Sequence, residues 1–166
     1  MAVMVRIARL ALGWLPVLAV VLAIQLLTNR GIFDMGRAPD LRGQMVGGER
    51  FAGLASMPKP AIIYFWASWC GVCRAMQTTI MSVAGDTPVI TVAMQSGDPA
   101  VVSEYMSHRQ FDVPALVDQE GSVADAYGVR GVPATFVLGR DGNIQFATMG
   151  YTSELGMRLR LWWASR

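Results

Sequence analysis

The chain has 166 residues, a length for one domain, and its 53% hydrophobic and 16% charged residues exclude a disordered chain. A formal net charge of +2 is too small to argue for nucleic-acid binding. Two cysteines, Cys70 and Cys73, exclude a disulfide scaffold and sit too close together to close a large loop, so their value is chemical.

The chain opens on an apolar run, Leu10 to Leu27, whose one strongly polar member is Gln25. A helix over this run rises about 27 Å, close to the hydrocarbon thickness of a bilayer. Arg6 and Arg9 precede it and Arg30 follows it. The run is longer than a usual signal-peptide core, and no small-x-small cleavage site follows directly. Residues 1–30 are therefore read as an uncleaved membrane anchor in contact with lipid, with a cleaved signal peptide as the alternative. All 12 acidic residues lie beyond position 30, where 11 of the 14 basic residues face them.

Residues 31–39 read as a linker and residues 40–166 as the folded domain. Up to Pro60 the chain is rich in glycine and broken by Pro39, Pro58 and Pro60, which suggests a weak hairpin or short strands. Ala61 to Trp66 is apolar, β-branched and aromatic, and predicts a buried strand. A helix is expected from Gly71 to Val83, and a second strand from Val89 to Met94. Asp98-Pro99 predicts a helix start, with Asp as cap and Pro in the first turn, running to about His108. Ala115 to Val117 reads as a short strand and Ser122 to Tyr127 as a short helix ended by Gly128. Ala134 to Leu138 and Ile144 to Met149 flank Gly139-Arg140-Asp141-Gly142-Asn143, a hairpin signal. Ser153 caps a last helix ending near Trp163, with Trp162 and Trp163 expected against the core and Arg158 and Arg160 on a solvated face. Strands alternating with helices predict a central sheet with helices on both faces.

The motif Trp69-Cys70-Gly71-Val72-Cys73 falls between a predicted strand and a predicted helix. At a helix N-terminus, unpaired N–H groups and the helix dipole favour an anion. Cys70 is thus expected as the nucleophilic thiolate, and Cys73, one turn further in, as the resolving thiol. Gly71 and Val72 tune the pair. Half of a zinc site has the same spacing, but the chain's one histidine, His108, leaves such a site short of ligands. Neither metal nor cofactor is expected.

Phe65-Trp66-Ala67-Ser68-Trp69-Cys70-Gly71-Val72-Cys73 resembles the active-site segment of the thioredoxin superfamily. Tyr127-Gly128-Val129-Arg130-Gly131-Val132-Pro133-Ala134-Thr135 resembles its cis-proline segment. The strand and helix inserted between Val89 and Val117 resemble the membrane-anchored TlpA-like oxidoreductases. The anchor, the Gly-Val dipeptide and Gly150-Tyr151-Thr152-Ser153-Glu154 resemble most closely the suppressor-of-copper-sensitivity D proteins. The resemblance implies a thioredoxin-like α/β fold, a central mixed sheet flanked by helices, with an N-terminal transmembrane helix.

It also implies a cis Val132–Pro133 bond facing the sulfurs, where sequence alone also admits an ordinary strand-entry proline. Substrate would bind against Trp69, Val132, Pro133 and Gly150. The implied activity is disulfide exchange with protein cysteines in the bacterial periplasm, from the inner membrane. The implied direction is reduction, fed by a membrane thiol reductant and linked to copper-stress tolerance or cytochrome c maturation. The competing reading is a copper-handling or redox-inert binding module on the same scaffold. Two departures bear on proton handling: the family's buried acid is replaced by Tyr64, with an ordinary pKa near 10, and a glutamate of several TlpA-like reductases by Met76.

Overall fold

The computed structural model describes residues 36–166, so the expected anchor, residues 1–30, lies outside the described residues. Among the described residues no helix is long and apolar enough to cross a membrane.

The six residues of β1, Ala61–Trp66, are all buried. A strand apolar on both faces belongs in the middle of a sheet covered on both sides, and β1 takes that place. It is flanked by β2 (Val89–Met94) and β4 (Ala134–Leu138), with β3 (Ala115–Asp118) and β5 (Ile144–Met149) at the edges, in the order β3-β2-β1-β4-β5. The β1–β2 and β2–β3 pairs are parallel; β1–β4 and β4–β5 are antiparallel. Parallel neighbours need crossovers. The helices α1 (Gly71–Ala84) and α2 (Pro99–His108) supply them. The β4–β5 pair closes through the predicted turn, where the Gly139 and Gly142 amides donate to Asn143 and Gly139. Two further helices, α3 (Ser122–Ala126) and α4 (Glu154–Ala164), complete the fold.

Alternation along β1 divides the core. Ile62, Tyr64 and Trp66 point to one face, under Met76 and Ile80 of α1, Val102 and Met106 of α2, and Met157 and Leu161 of α4. The rings of Phe65, Tyr127 and Phe136 pack together, with centroids 5.2–5.6 Å apart. Helix starts follow local chemistry. Asp98 accepts from the Ala100 and Val101 amides, and Ser153 from Gly156. Gly121 offers α3 no side chain, and Asp118, at the end of β3, accepts from the Val123 and Ala124 amides at 3.1 and 2.8 Å instead.

The segment before β1 forms isolated bridges, Arg37 with Asn143, Gln44 with Arg50 and Met45 with Leu116, and one 3-10 turn, Leu54–Ser56. Residues 36–39, expected as linker, are fastened to the domain: the Ile144 amide donates to Gly36 and the Tyr127 hydroxyl to Pro39 at 2.6 Å. The Lys59–Pro60 bond is cis, which sequence reasoning did not anticipate.

One expectation for α4 is overturned. Met157, Leu161 and Ala164 occupy its core face, leaving Trp162 and Trp163 53% and 63% exposed on the outside. Arg158 lies in an ion-pair network, 2.7 Å from Asp86 and 2.9 Å from Glu154, that ties α4 to the end of α1. The Glu154 carboxylate also accepts from Ser82 of α1. Arg158 holds both carboxyls below their ordinary pKa values, by its hydrogen bonds first.

Candidate functional site

Chain direction places the site. β1 runs out of the sheet at Trp66, and the chain turns through Ala67-Ser68-Trp69 before α1 begins at Gly71. Cys70 is the N-cap of α1, and its sulfur accepts the Cys73 amide at 3.1 Å. That donor is among those a helix leaves unpaired at its N-terminus. Cys70 and Cys73 are joined as a disulfide. Both are mostly buried, Cys70 at 7% exposure and Cys73 at 1%, so Cys70 is the sulfur nearer solvent.

Opposite the pair lies the loop before β4. The Val132–Pro133 bond is cis, and the Val132 carbonyl oxygen is 3.6 Å from Cys70 Sγ. The loop is fastened from the other side by Gly150, whose amide donates to the Pro133 carbonyl at 2.7 Å. Gly150 has φ +91°, a conformation that favours glycine, while a Cβ there would meet nothing within 4 Å. The glycine is thus required by backbone conformation and not by crowding within the domain. Trp69 is 62% exposed, yet its indole N–H donates to the Gln95 carbonyl in the loop after β2. Ser68 is held to the same loop by the Ser96 hydroxyl. Val72, Met149 and Tyr151 are exposed apolar residues in the same chain segments as the pair and Gly150. All the expected site residues, Trp69, Cys70, Gly71, Val72, Cys73, Val132, Pro133 and Gly150, lie in these few facing loops and the first turn of α1.

Sequence reasoning missed Arg74. Its guanidinium lies 3.6 Å from where a Gly71 Cβ would stand, so the cation folds back over the first turn of α1. No acidic residue occupies that turn. A cation beside the helix N-terminus adds to a field that favours thiolate. The signal was present in the sequence as an arginine directly after the second cysteine.

Beneath the pair, Tyr64 and Met76 are fully buried. Burial, with the Tyr105 phenol adding a smaller push, raises the Tyr64 pKa well above the ordinary value assumed from sequence. Tyr64 thus stays protonated and is no base at neutral pH. Its hydroxyl finds no protein hydrogen-bond partner, nor do those of Thr135 and Thr148. Tyr64 pairs with Thr135 and Thr135 with Thr148 across the sheet, so the three form one row on one face. The one buried carboxylate among the described residues, Asp118, is spent on capping α3.

Residues 36–147 match the AhpC/TSA family. A thioredoxin-like protein of Haemophilus influenzae is 36% identical over 107 residues, 64% of each chain, so the match spans just under two thirds of that relative. A protein of Paracoccus denitrificans named as a homologue of the thiol:disulfide interchange protein DsbE is 31% identical over 87 residues, 52% of this chain and 49% of that one. The crystal structure of a thio-disulfide isomerase from Thermus thermophilus superposes with a TM-score of 0.67 at 29% identity, over 78% of this chain and 94% of that one.

Proposed function

The chain belongs to the AhpC/TSA family, and on that premise we propose that it exchanges disulfides with protein cysteines through Cys70 and Cys73. Its fold is thioredoxin-like, and it is an enzyme of the thiol–disulfide oxidoreductase class. The observation that carries the site assignment is the Cys70 sulfur, which caps α1 and lies 3.6 Å from the Val132 carbonyl of the cis-proline loop.

The reaction follows from that placement. In the reduced enzyme the Cys70 thiolate attacks one sulfur of a substrate disulfide. A mixed disulfide forms and the other substrate sulfur leaves as thiolate. Cys73, held one turn deeper, then attacks the Cys70 sulfur. The substrate departs with two thiols and the enzyme is left as the Cys70–Cys73 disulfide. An extended substrate segment fits the loop at Val132, whose backbone offers pairing, while Trp69 supplies an apolar wall. Two electrons must then return from a donor thiol pair, which we assign to a membrane reductant.

We place the domain in the periplasm, held to the bacterial inner membrane by residues 1–30, with the remaining linker before residue 36. Reduction there suits proteins whose cysteines must stay free for metal or haem, the processes of copper tolerance and cytochrome c maturation. Insulin reduction by the full chain, with Cys70→Ser as control, tests the activity. No reduction by the wild type would overturn it. Equilibration of the Cys70–Cys73 pair against glutathione tests the direction: a potential near that of strong oxidants such as DsbA, about −120 mV, would reverse it.

A further inference from the structure

The outward face of α4 carries a second apolar surface that the redox reaction does not use. At 100° per residue, Leu155, Leu159, Trp162 and Trp163 fall within an arc of about 100°. The buried residues Met157, Leu161 and Ala164 occupy the opposite side. All four outward side chains are more than half exposed. Helix α4 is therefore apolar on two sides, and only one of them is needed to close the core. A contiguous apolar stripe left in water marks an interaction surface.

Charge identifies its occupant. Arg166 lies at the end of the stripe, its guanidinium 3.7 Å from the centre of the Trp162 ring. Arg160 lies on one flank. On the other flank, the single acid of α4, Glu154, is held by Arg158 and Ser82. The face thus presents leucine and tryptophan beside two arginines, with no uncompensated carboxylate on its helix. A second copy docked face to face would bring these cations together. An anionic bilayer surface meets both demands: tryptophan and leucine enter the headgroup–acyl boundary, and arginine pairs with phosphate.

We propose that the outward face of α4 docks on an anionic phospholipid surface. The docking is independent of residues 1–30 and of the redox assignment.

The test uses the full chain reconstituted in phosphatidylcholine vesicles, with or without phosphatidylglycerol, whose acyl chains carry bromine as a quencher of tryptophan fluorescence. Emission from Trp162 and Trp163 is obtained as the difference between the wild type and W162Q/W163Q, which cancels the other three tryptophans. That emission is expected to be quenched when phosphatidylglycerol is present. L155Q/L159Q, which keeps both fluorophores, should lower the docked-to-undocked ratio about tenfold. R160Q and R166Q should each lower it about fivefold. Insulin reduction and far-UV circular dichroism should be unchanged in every variant, which separates lost docking from lost fold. Unquenched emission would overturn the proposal, as would equal quenching without phosphatidylglycerol or in L155Q/L159Q. Emission shielded from aqueous acrylamide only at high protein-to-lipid ratio, and untouched by bromine, would assign the face to a second copy and also overturn it.

Discussion

Alkaline pH should destabilise this domain through two tyrosines. Tyr64 and Tyr127 lie on the sheet's two faces, both almost fully buried. Burial is the main cause that raises each pKa, with smaller pushes from the Tyr105 phenol and the Asp40 carboxylate respectively. In the unfolded chain both phenols titrate near 10. Between that value and the higher folded one, the folded state holds more protons than the unfolded state. Stability is therefore fully present below pH 10 and falls as pH rises towards the folded pKa values. At pH 11 each unfolded phenol gains about 1.4 kcal/mol from ionising, so the pair removes about 3 kcal/mol. That is a large share of a typical domain stability of about 5–15 kcal/mol. Urea denaturation of the full chain in mild detergent at pH 8, 10 and 11, followed with tyrosinate absorbance, reads the loss. Tyr64→Phe should remove half of the pH-dependent part and Tyr64→Phe with Tyr127→Phe nearly all of it. A loss at pH 11 that persists in the double variant would refute the reasoning, because other groups would then be titrating.

At neutral pH, Tyr64→Phe should raise stability by about 1 kcal/mol, since it removes a buried hydroxyl with no protein partner; a lower melting temperature would mean that the hydroxyl is bridged to Thr135. Asp118→Ala should cost about 2–3 kcal/mol in urea denaturation, because it strips α3 of its cap and strands two amides. Cys73→Ala should accumulate a mixed disulfide with substrate on non-reducing gels and Cys70→Ala none, with trapping through Cys73 reversing the two roles. Arg74→Gln should slow alkylation of reduced Cys70 about two- to threefold near neutral pH, and an unchanged rate would remove the arginine from the site's electrostatics.

Much of the chemistry was legible in order along the chain because it is local. The buried strand Ala61–Trp66, the Asp98 and Ser153 caps and the hairpin turn each rest on residues within a few positions of one another. So does the placement of Cys70 at a helix N-terminus, where its sulfur meets the Cys73 amide. The meeting of Cys70 with Val132, 62 positions away, was reached through resemblance and not through pattern; only the pairing of β1 with β4 brings them to 3.6 Å. Burial likewise had to come from the fold. An ordinary phenol was assumed at Tyr64, but its pKa depends on what covers it, and α1 and α4 decide that. Helix α4 shows the limit most clearly. Its sequence is apolar on both sides, so helical periodicity alone offers two faces for the core. The sheet accepted Met157, Leu161 and Ala164, and turned both tryptophans outward.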